Sequence, residues 1–270
     1  MSYDPKSIIQ SYERNAEFED ASEKGRSLRV ELPREFIWRY LRASDRVLDA
    51  GGGTGISAIM MAERCSRVTL LDITPRMLQI ARDNIAQAGP SGKIDLVQGD
   101  ITDLSRFRNE QFTFVVCVGD AISYVLDRRF QALDELVRVA EPGSILVLGC
   151  DAKFGFMRMK LAQGALDEAL DILETSTSTC GMGPRTHLYT VDEMTTLLKE
   201  RGCPVLEVAS TPTFGDTMDL DGYTADADRW EKLKRLELAL CTRPELLGMG
   251  LHLLFVARKE GRRAKAERDR

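Results

Sequence analysis

Asp49 and Asp72 each end a short apolar run, and the first leads directly into Gly51-Gly52-Gly53-Thr54-Gly55. Glycines at such a turn permit positive φ and let the backbone approach a ligand that a Cβ would push away. On their own they would indicate only a tight turn. The two acids narrow the chemistry. Asp49, just before the glycines, favours a cationic or amino-bearing ligand and repels a pyrophosphate. Asp72 follows Gly51 by about twenty residues, where a carboxylate can accept both hydrogens of a ribose diol. The ligand these residues imply contains a nucleoside. A phosphate-binding loop would need a lysine and a hydroxyl residue where Ile56-Ser57 stand, and a dinucleotide turn would need a third glycine in place of Ile56.

The elements that must position these residues follow from periodicity. Runs at Arg46–Asp49, Val68–Asp72, Ile94–Val97, Phe112–Cys117 and Ser144–Leu148 alternate with amphipathic stretches, the pattern of βαβ units and a parallel sheet. Thr74-Pro75 opens a helix that Gly89-Pro90 stops, and a second helical stretch through Leu133 and Val137 is expected to end at Pro142-Gly143. Thr190 and Glu193 have capping-box spacing for a helix reaching Gly202. Two further strands are read at Val205–Val208 and Leu251–Val256. The interval between them, 213–248, is too long for a hairpin loop and holds a predicted helix from Ala225 to Cys241. Helices are also predicted at Pro5–Lys24 and Glu31–Arg42, packing over the sheet's edge.

From Val47 to Gly55 the sequence resembles the first motif of the class I S-adenosylmethionine-dependent methyltransferases. Gly99-Asp100-Ile101 is similar to their segment after the third strand, and Phe112–Cys117 to their fourth strand. The resemblance covers about Arg46 to Val208 and resumes at Leu251. It implies a doubly wound, mostly parallel seven-stranded α/β sheet with N-terminal helices and a helical insertion before the last strand. S-adenosylmethionine is the implied cofactor, contacted by Asp49, Gly51, Gly53, Asp72 and Ile73, with Asp100 and Ile101 at the adenine and Cys117 beside the methionine part. The family's Asn/Asp-Pro-Pro-Tyr/Phe motif for planar amino groups is missing. After Cys117 the chain has Val118–Tyr124, similar to the small-molecule branch.

Methyl transfer to a hydroxyl or protonated amine requires a base, and the candidates are few. His187 precedes the Thr190 cap, on a segment that in similar proteins runs along the pocket, and competes with a purely structural reading. Asp120, Ser123 and Tyr124 follow the fourth strand at the carboxyl edge of the sheet, where ligands of open sheets sit. Asp120 could instead serve as a helix cap. The catalytic candidates are therefore His187, Asp120 and Tyr124. His252, in the last strand, is expected to be buried and structural. Tyr3, Tyr12 and Arg29 could cover the methionine end from the N-terminal helices, with surface packing as the simpler role. Cys180–Pro184 reads as a flexible loop.

The chain has 270 residues, 43% hydrophobic and 29% charged, which suits one α/β domain. The division expected is an N-terminal helical cap (1–44), a cofactor-binding domain (45–258) with a lid at 213–248, and a disordered basic tail (259–270). Six cysteines lack zinc-ligand spacing, so no metal is expected and the thiols are read as reduced. A net charge of −5 weighs against nucleic acid as partner. No apolar run is long enough for a membrane, and the N-terminus has no secretory pattern, so a cytoplasmic location is expected. The function read from all this is methyl transfer to a small-molecule acceptor through an N, O, S or C nucleophile, by a monomer or homodimer. The alternatives are a methyltransferase acting on RNA or protein, and a non-methylating binder of the same cofactor.

Overall fold

Two helices, α1 (Pro5–Lys24) and α2 (Leu28–Tyr40), precede the alternating part of the chain. That part runs β1 (Arg46–Ala50), α3 (Ile56–Ala62), β2 (Arg67–Asp72), α4 (Pro75–Ala88), β3 (Ile94–Gln98), β4 (Phe112–Cys117), α5 (Ala121–Tyr124), α6 (Arg129–Val139) and β5 (Ala140–Asp151). Next come α7 (Lys153–Ala162), α8 (Leu166–Thr175), β6 (Thr177–Thr179), β7 (Arg185–His187), α9 (Val191–Glu200) and β8 (Val205–Ser210). The chain then forms α10 (Asp221–Thr224), α11 (Ala227–Leu240) and β9 (His252–Arg258). The structure, a computed structural model, describes residues 2–89, 92–179 and 183–261. The expected loop residues 180–182 and tail residues 262–270 lie outside the described residues.

Seven strands form one sheet in the order β3-β2-β1-β4-β5-β9-β8, with β9 antiparallel to both neighbours. This is the doubly wound, mostly parallel sheet that the alternation predicts. Strands β6 and β7 form a separate hairpin. Chain order reverses at β1, where β2 leaves on one side and β4 pairs on the other, so a crevice opens at their carboxyl ends.

Alternate side chains feed two cores. Leu48, Val115, Leu146 and Leu148 pack with Leu133 and Leu136 of α6 and Leu198 of α9 on one face. Val47, Leu70, Phe114, Val116 and Val147 pack with Ala58 of α3 and Ala81 of α4 on the other. Phe36 and Ile37 join the second core, so α2 lies on a sheet face and not over the edge as expected. Helix α1 packs on α4 through Ala16, Met77 and Ile80.

A further expectation is corrected. Helix α6 ends at Val139, and Pro142-Gly143 lies within β5, where the register with β4 shifts between Phe112 and Phe114. A bulge accommodates the extra residues there, with Gly143 at φ 87°. The pair α7 and α8 went unpredicted. The five large apolar residues Phe154, Leu161, Leu166, Leu170 and Leu173 are exposed on them, so only part of their apolar pattern faces a core.

Candidate active site

The glycine turn leaves β1 and folds back against β2, with the amides of Gly51 and Gly52 both donating to the Leu71 carbonyl, at 2.7 and 3.1 Å. Gly51 adopts φ 76°, and a Cβ there would stand 2.7 Å from that of Ala121. Asp72 braces the turn from β2. Its Oδ2 accepts from the Gly53 amide at 3.0 Å and its Oδ1 from the Thr74 amide at 2.8 Å. Each oxygen keeps a lone pair, and the side chain lines a cavity of about 1040 Å³.

Asp49 lines the same cavity, 1% exposed, and its Oδ2 has no hydrogen-bond partner among the described residues. Burial, followed by the charges of Glu23 and Asp72, pushes its carboxyl up to about 7. An orphaned buried carboxylate is costly and is relieved by a cationic or N–H-bearing ligand. With the ribose-type acceptor Asp72 on the same wall, the residues present fit S-adenosylmethionine.

The wall continues with Ile73, Asp100 and Ile101. Asp100 already accepts hydrogen bonds from Tyr3 Oη at 2.7 Å and the Thr102 amide at 2.8 Å. Helix α1 and its leading residues cover this half of the cavity. Tyr12 Oη donates to Tyr124 Oη at 3.2 Å, and Glu23 accepts from the hydroxyl of Thr54 in the glycine turn. Burial pushes Glu23 up to about 7, partly offset by that hydrogen bond.

At the other end, five segments of the chain converge on a charged cluster. Asp120 stands after β4 at φ 71°, a left-handed conformation costly for a non-glycine residue and often kept at functional sites. Its Oδ2 lies 3.1 Å from His252 Nε2 on β9. Asp151, the last residue of β5, has Oδ1 3.6 Å from the same nitrogen. Asp216, from the segment after β8, accepts from Arg29 Nε of α2 at 3.1 Å and from the Leu251 amide at 2.9 Å. Arg29 keeps 56% of its side chain accessible, so its guanidinium stands open in the cavity.

The charges are set by this company. Burial raises Asp120, but the His252 and Arg29 charges outweigh it and hold its carboxyl below the usual range. His252 is the converse, burial lowering it and Asp120 raising it to a net value of about 9. The two form an ion pair at neutral pH. Burial and the Asp120 charge push Asp151 up to about 8.

Of the residues singled out in the sequence, Asp49, Gly51, Gly53, Asp72, Ile73, Asp100, Ile101, Asp120 and Tyr124 all line this one cavity. Cys117 and His187 do not. Cys117 lies inside the sheet, fully buried, and burial pushes its thiol up to about 12. His187, expected at the acceptor, sits on β7 with Nε2 2.8 Å from Glu193 Oε1 and its ring edge-on to Tyr189. Glu193 is therefore committed to His187, and only the Thr190 half of the expected capping exchange forms, at 3.1 Å. His252, expected to be structural, faces the cavity. Asp151, Asp216 and Glu23 went unnoticed. The signal for Asp151 was available, since it ends its strand as Asp72 does and as Asp49 nearly does.

Residues 47–143 match a family model described as a methyltransferase domain. A demethylmenaquinone methyltransferase of Clavibacter sepedonicus is 32% identical over 106 residues, covering 39% of this chain and 41% of that protein. The tRNA 5-carboxymethoxyuridine methyltransferase of Escherichia coli is 25% identical over 222 residues, covering 79% and 80%. Among solved structures, the 1,6-didemethyltoxoflavin-N1-methyltransferase of Burkholderia thailandensis, with 1,6-didemethyltoxoflavin and S-adenosylhomocysteine bound, superposes at a TM-score of 0.60 with 13% identity, covering 94% and 88%. The chain spans 35% to 42% of the length of the first curated relatives it matches. Fold, motif and family model agree on a methyltransferase domain of the class I S-adenosylmethionine-dependent kind, whose cofactor is S-adenosylmethionine.

Proposed function

We propose that this chain transfers a methyl group from S-adenosylmethionine to a small-molecule acceptor by in-line displacement. The observation that carries the reading is a single cavity running from the glycine turn to the Asp120–His252 cluster, roofed by α1 and α2. Its volume of about 1040 Å³ has room for a nucleoside cofactor and a small second ligand together. Asp49, the Gly51–Gly53 backbone, Asp72 and Ile73 would hold the cofactor, with Asp100 and Ile101 at its adenine. That group supplies an electrophilic methyl on a sulfonium.

The protein's part is to orient an acceptor, keep out water and accommodate a proton. Asp120 and Tyr124 wall the acceptor side. Gly215, Asp216, Leu220 and Thr224 bring the 213–248 insertion to the same side, which supports its role as a lid. Among the described residues the cavity is lined by eight acids, Glu19, Glu23, Asp49, Asp72, Asp100, Asp120, Asp151 and Asp216, against Arg26, Arg29 and Arg34. Such a lining disfavours a polyanion and supports a small acceptor. Calorimetry tests the cofactor half: S-adenosylhomocysteine binds and NAD does not. NAD binding without a response to S-adenosylhomocysteine overturns the reading.

A second reading has one observation in its favour, the 222-residue similarity to a tRNA methyltransferase. Filter binding with unfractionated tRNA separates the two. Saturable, salt-sensitive binding with methyl incorporation into tRNA favours the second reading, and its absence favours the first.

A further inference from the structure

Asp151 is 2% exposed, yet it lines the acceptor end of the cavity. Its two carboxylate oxygens are treated differently. Oδ2 accepts from the Thr186 hydroxyl of β7, and the residue's own amide donates to Ser123 Oγ at 2.9 Å, so the group is held from two sides. Among the described residues no donor is hydrogen-bonded to Oδ1. The nearest cationic atom, His252 Nε2, is 3.6 Å away and is paired with Asp120 at 3.1 Å. An oxygen that faces the cavity without a donor has its lone pairs open to a proton.

We propose that Asp151 Oδ1 takes up the proton that the methyl acceptor releases, with the Asp120–His252 ion pair as the positioning element beside it. The inference rests on the methyl-transfer reading above and narrows its acceptor to a molecule whose nucleophilic atom carries a proton, a hydroxyl or an amine. The balance closes without a further reactant. The acceptor's X–H bond breaks and X uses that electron pair to form X–CH3. The pair of the broken S–CH3 bond stays on sulfur, and the proton bonds to Asp151 Oδ1 until product leaves.

The neighbouring groups explain why this carboxylate suits the task at the acceptor end. Asp120 is committed to His252, and the histidine holds its proton up to about 9, so neither is a useful base at neutral pH. Arg29 is engaged with Asp216. Burial and the Asp120 charge, opposed by His252, Thr186 and Arg29, leave Asp151 near 8, where a base is effective close to neutral pH. Turnover then rises with pH as Asp151 ionises.

The test uses the full chain labelled with carboxyl-13C aspartate and saturated with S-adenosylhomocysteine. The NMR resonance that Asp151→Asn removes titrates near 8, and a midpoint near 4 overturns the proposal. Thr186→Val retains the carboxylate but loses the hydrogen bond that lowers it, so the midpoint moves up. An unmoved midpoint also counts against the proposal, and this variant serves if Asp151→Asn fails to fold. Turnover is read as S-adenosylhomocysteine formed from S-adenosylmethionine with a panel of simple phenols, alcohols and amines. With any acceptor that is methylated, Asp151→Asn lowers kcat by about 10²- to 10⁴-fold at little change in KM, and a loss under about threefold overturns the assignment. Should the panel yield no turnover, the NMR midpoint alone decides. Calorimetry keeps the underlying reading separate: failure of the wild type to bind S-adenosylhomocysteine removes the methyl-transfer reading whatever the midpoint.

Discussion

At the scale of the residue, Asp49 opposes stability to function. Burial, then Glu23 and Asp72, push its carboxyl up to about 7. In an unfolded chain an aspartate titrates near about 3.9, so between roughly pH 4 and 7 the native state retains a proton that the unfolded state gives up. Stability of the ligand-free protein therefore falls as pH rises through that window. Asp49→Asn removes the titrating group. The variant is expected to melt above the wild type at about pH 8, with a smaller difference at about pH 5, while its affinity for S-adenosylhomocysteine falls by about 1 to 3 kcal/mol. Thermal melts and calorimetry measure the two effects, and a melting difference independent of pH would contradict the first. Asp72→Ala should weaken S-adenosylhomocysteine by a similar 1 to 3 kcal/mol or so. Asp72 also receives the Gly53 and Thr74 amides, so some loss of melting temperature accompanies it. A collapse in melting temperature with unchanged affinity would make the residue structural alone.

At the scale of the element, the insertion before β9 is built into the roof of the cavity. Trp230 and Leu233 of α11 pack on Leu28 and Leu32 of α2, and Trp230 Nε1 donates to Glu31 at 2.8 Å. That face, which as an isolated pattern could have served a dimer contact, is covered within the chain, while Leu236 points outward at 52% exposure. Glu237 is fully buried and accepts from the amides of Thr213, Phe214 and Gly215 at 2.7, 3.0 and 2.8 Å. It thereby sets the backbone that presents Asp216 to Arg29. Glu237→Ala strands the buried amides of Thr213 and Gly215 and the half-buried one of Phe214, and at about 1 to 3 kcal/mol for each buried amide a loss of at least about 2 kcal/mol is expected in urea unfolding. A loss under about 1 kcal/mol would mean that water or a rearranged loop satisfies those amides.

For the molecule as a whole, the acidic cavity makes cofactor binding a proton-linked event. Glu23 and Asp49 both stand near 7, burial being the largest cause for each. A cation entering between them favours their charged forms, so binding of S-adenosylhomocysteine, which carries an ammonium, releases protons near neutrality and tightens as pH rises from about 6 to 8. Calorimetry in buffers of different ionisation enthalpy reads the protons directly. Proton uptake, or affinity that falls over that range, would contradict this electrostatic account. Among the described residues no helix is long and apolar enough to cross a membrane.

The cofactor half of the site was legible because it is local. Asp49, the glycines and Asp72 sit at the ends of consecutive parallel strands, and period-two alternation with a glycine turn dictates which end they share. Strand identity and the place of the insertion follow from the same short-range patterns. The acceptor half is assembled from Arg29, Asp120, Asp151, Asp216 and His252, which come from α2, the loop after β4, β5, the insertion and β9. No spacing links them. His252 has the surroundings of a core residue in sequence, and only the antiparallel register that sets it opposite Asp151 brings it to the cavity. His187 precedes a helix cap, which suggested the pocket, but the β6–β7 hairpin turns it to Glu193. Sequence periodicity determined which residues lie at strand ends; pairing order and register, set by burial of both sheet faces, decided which of those ends meet.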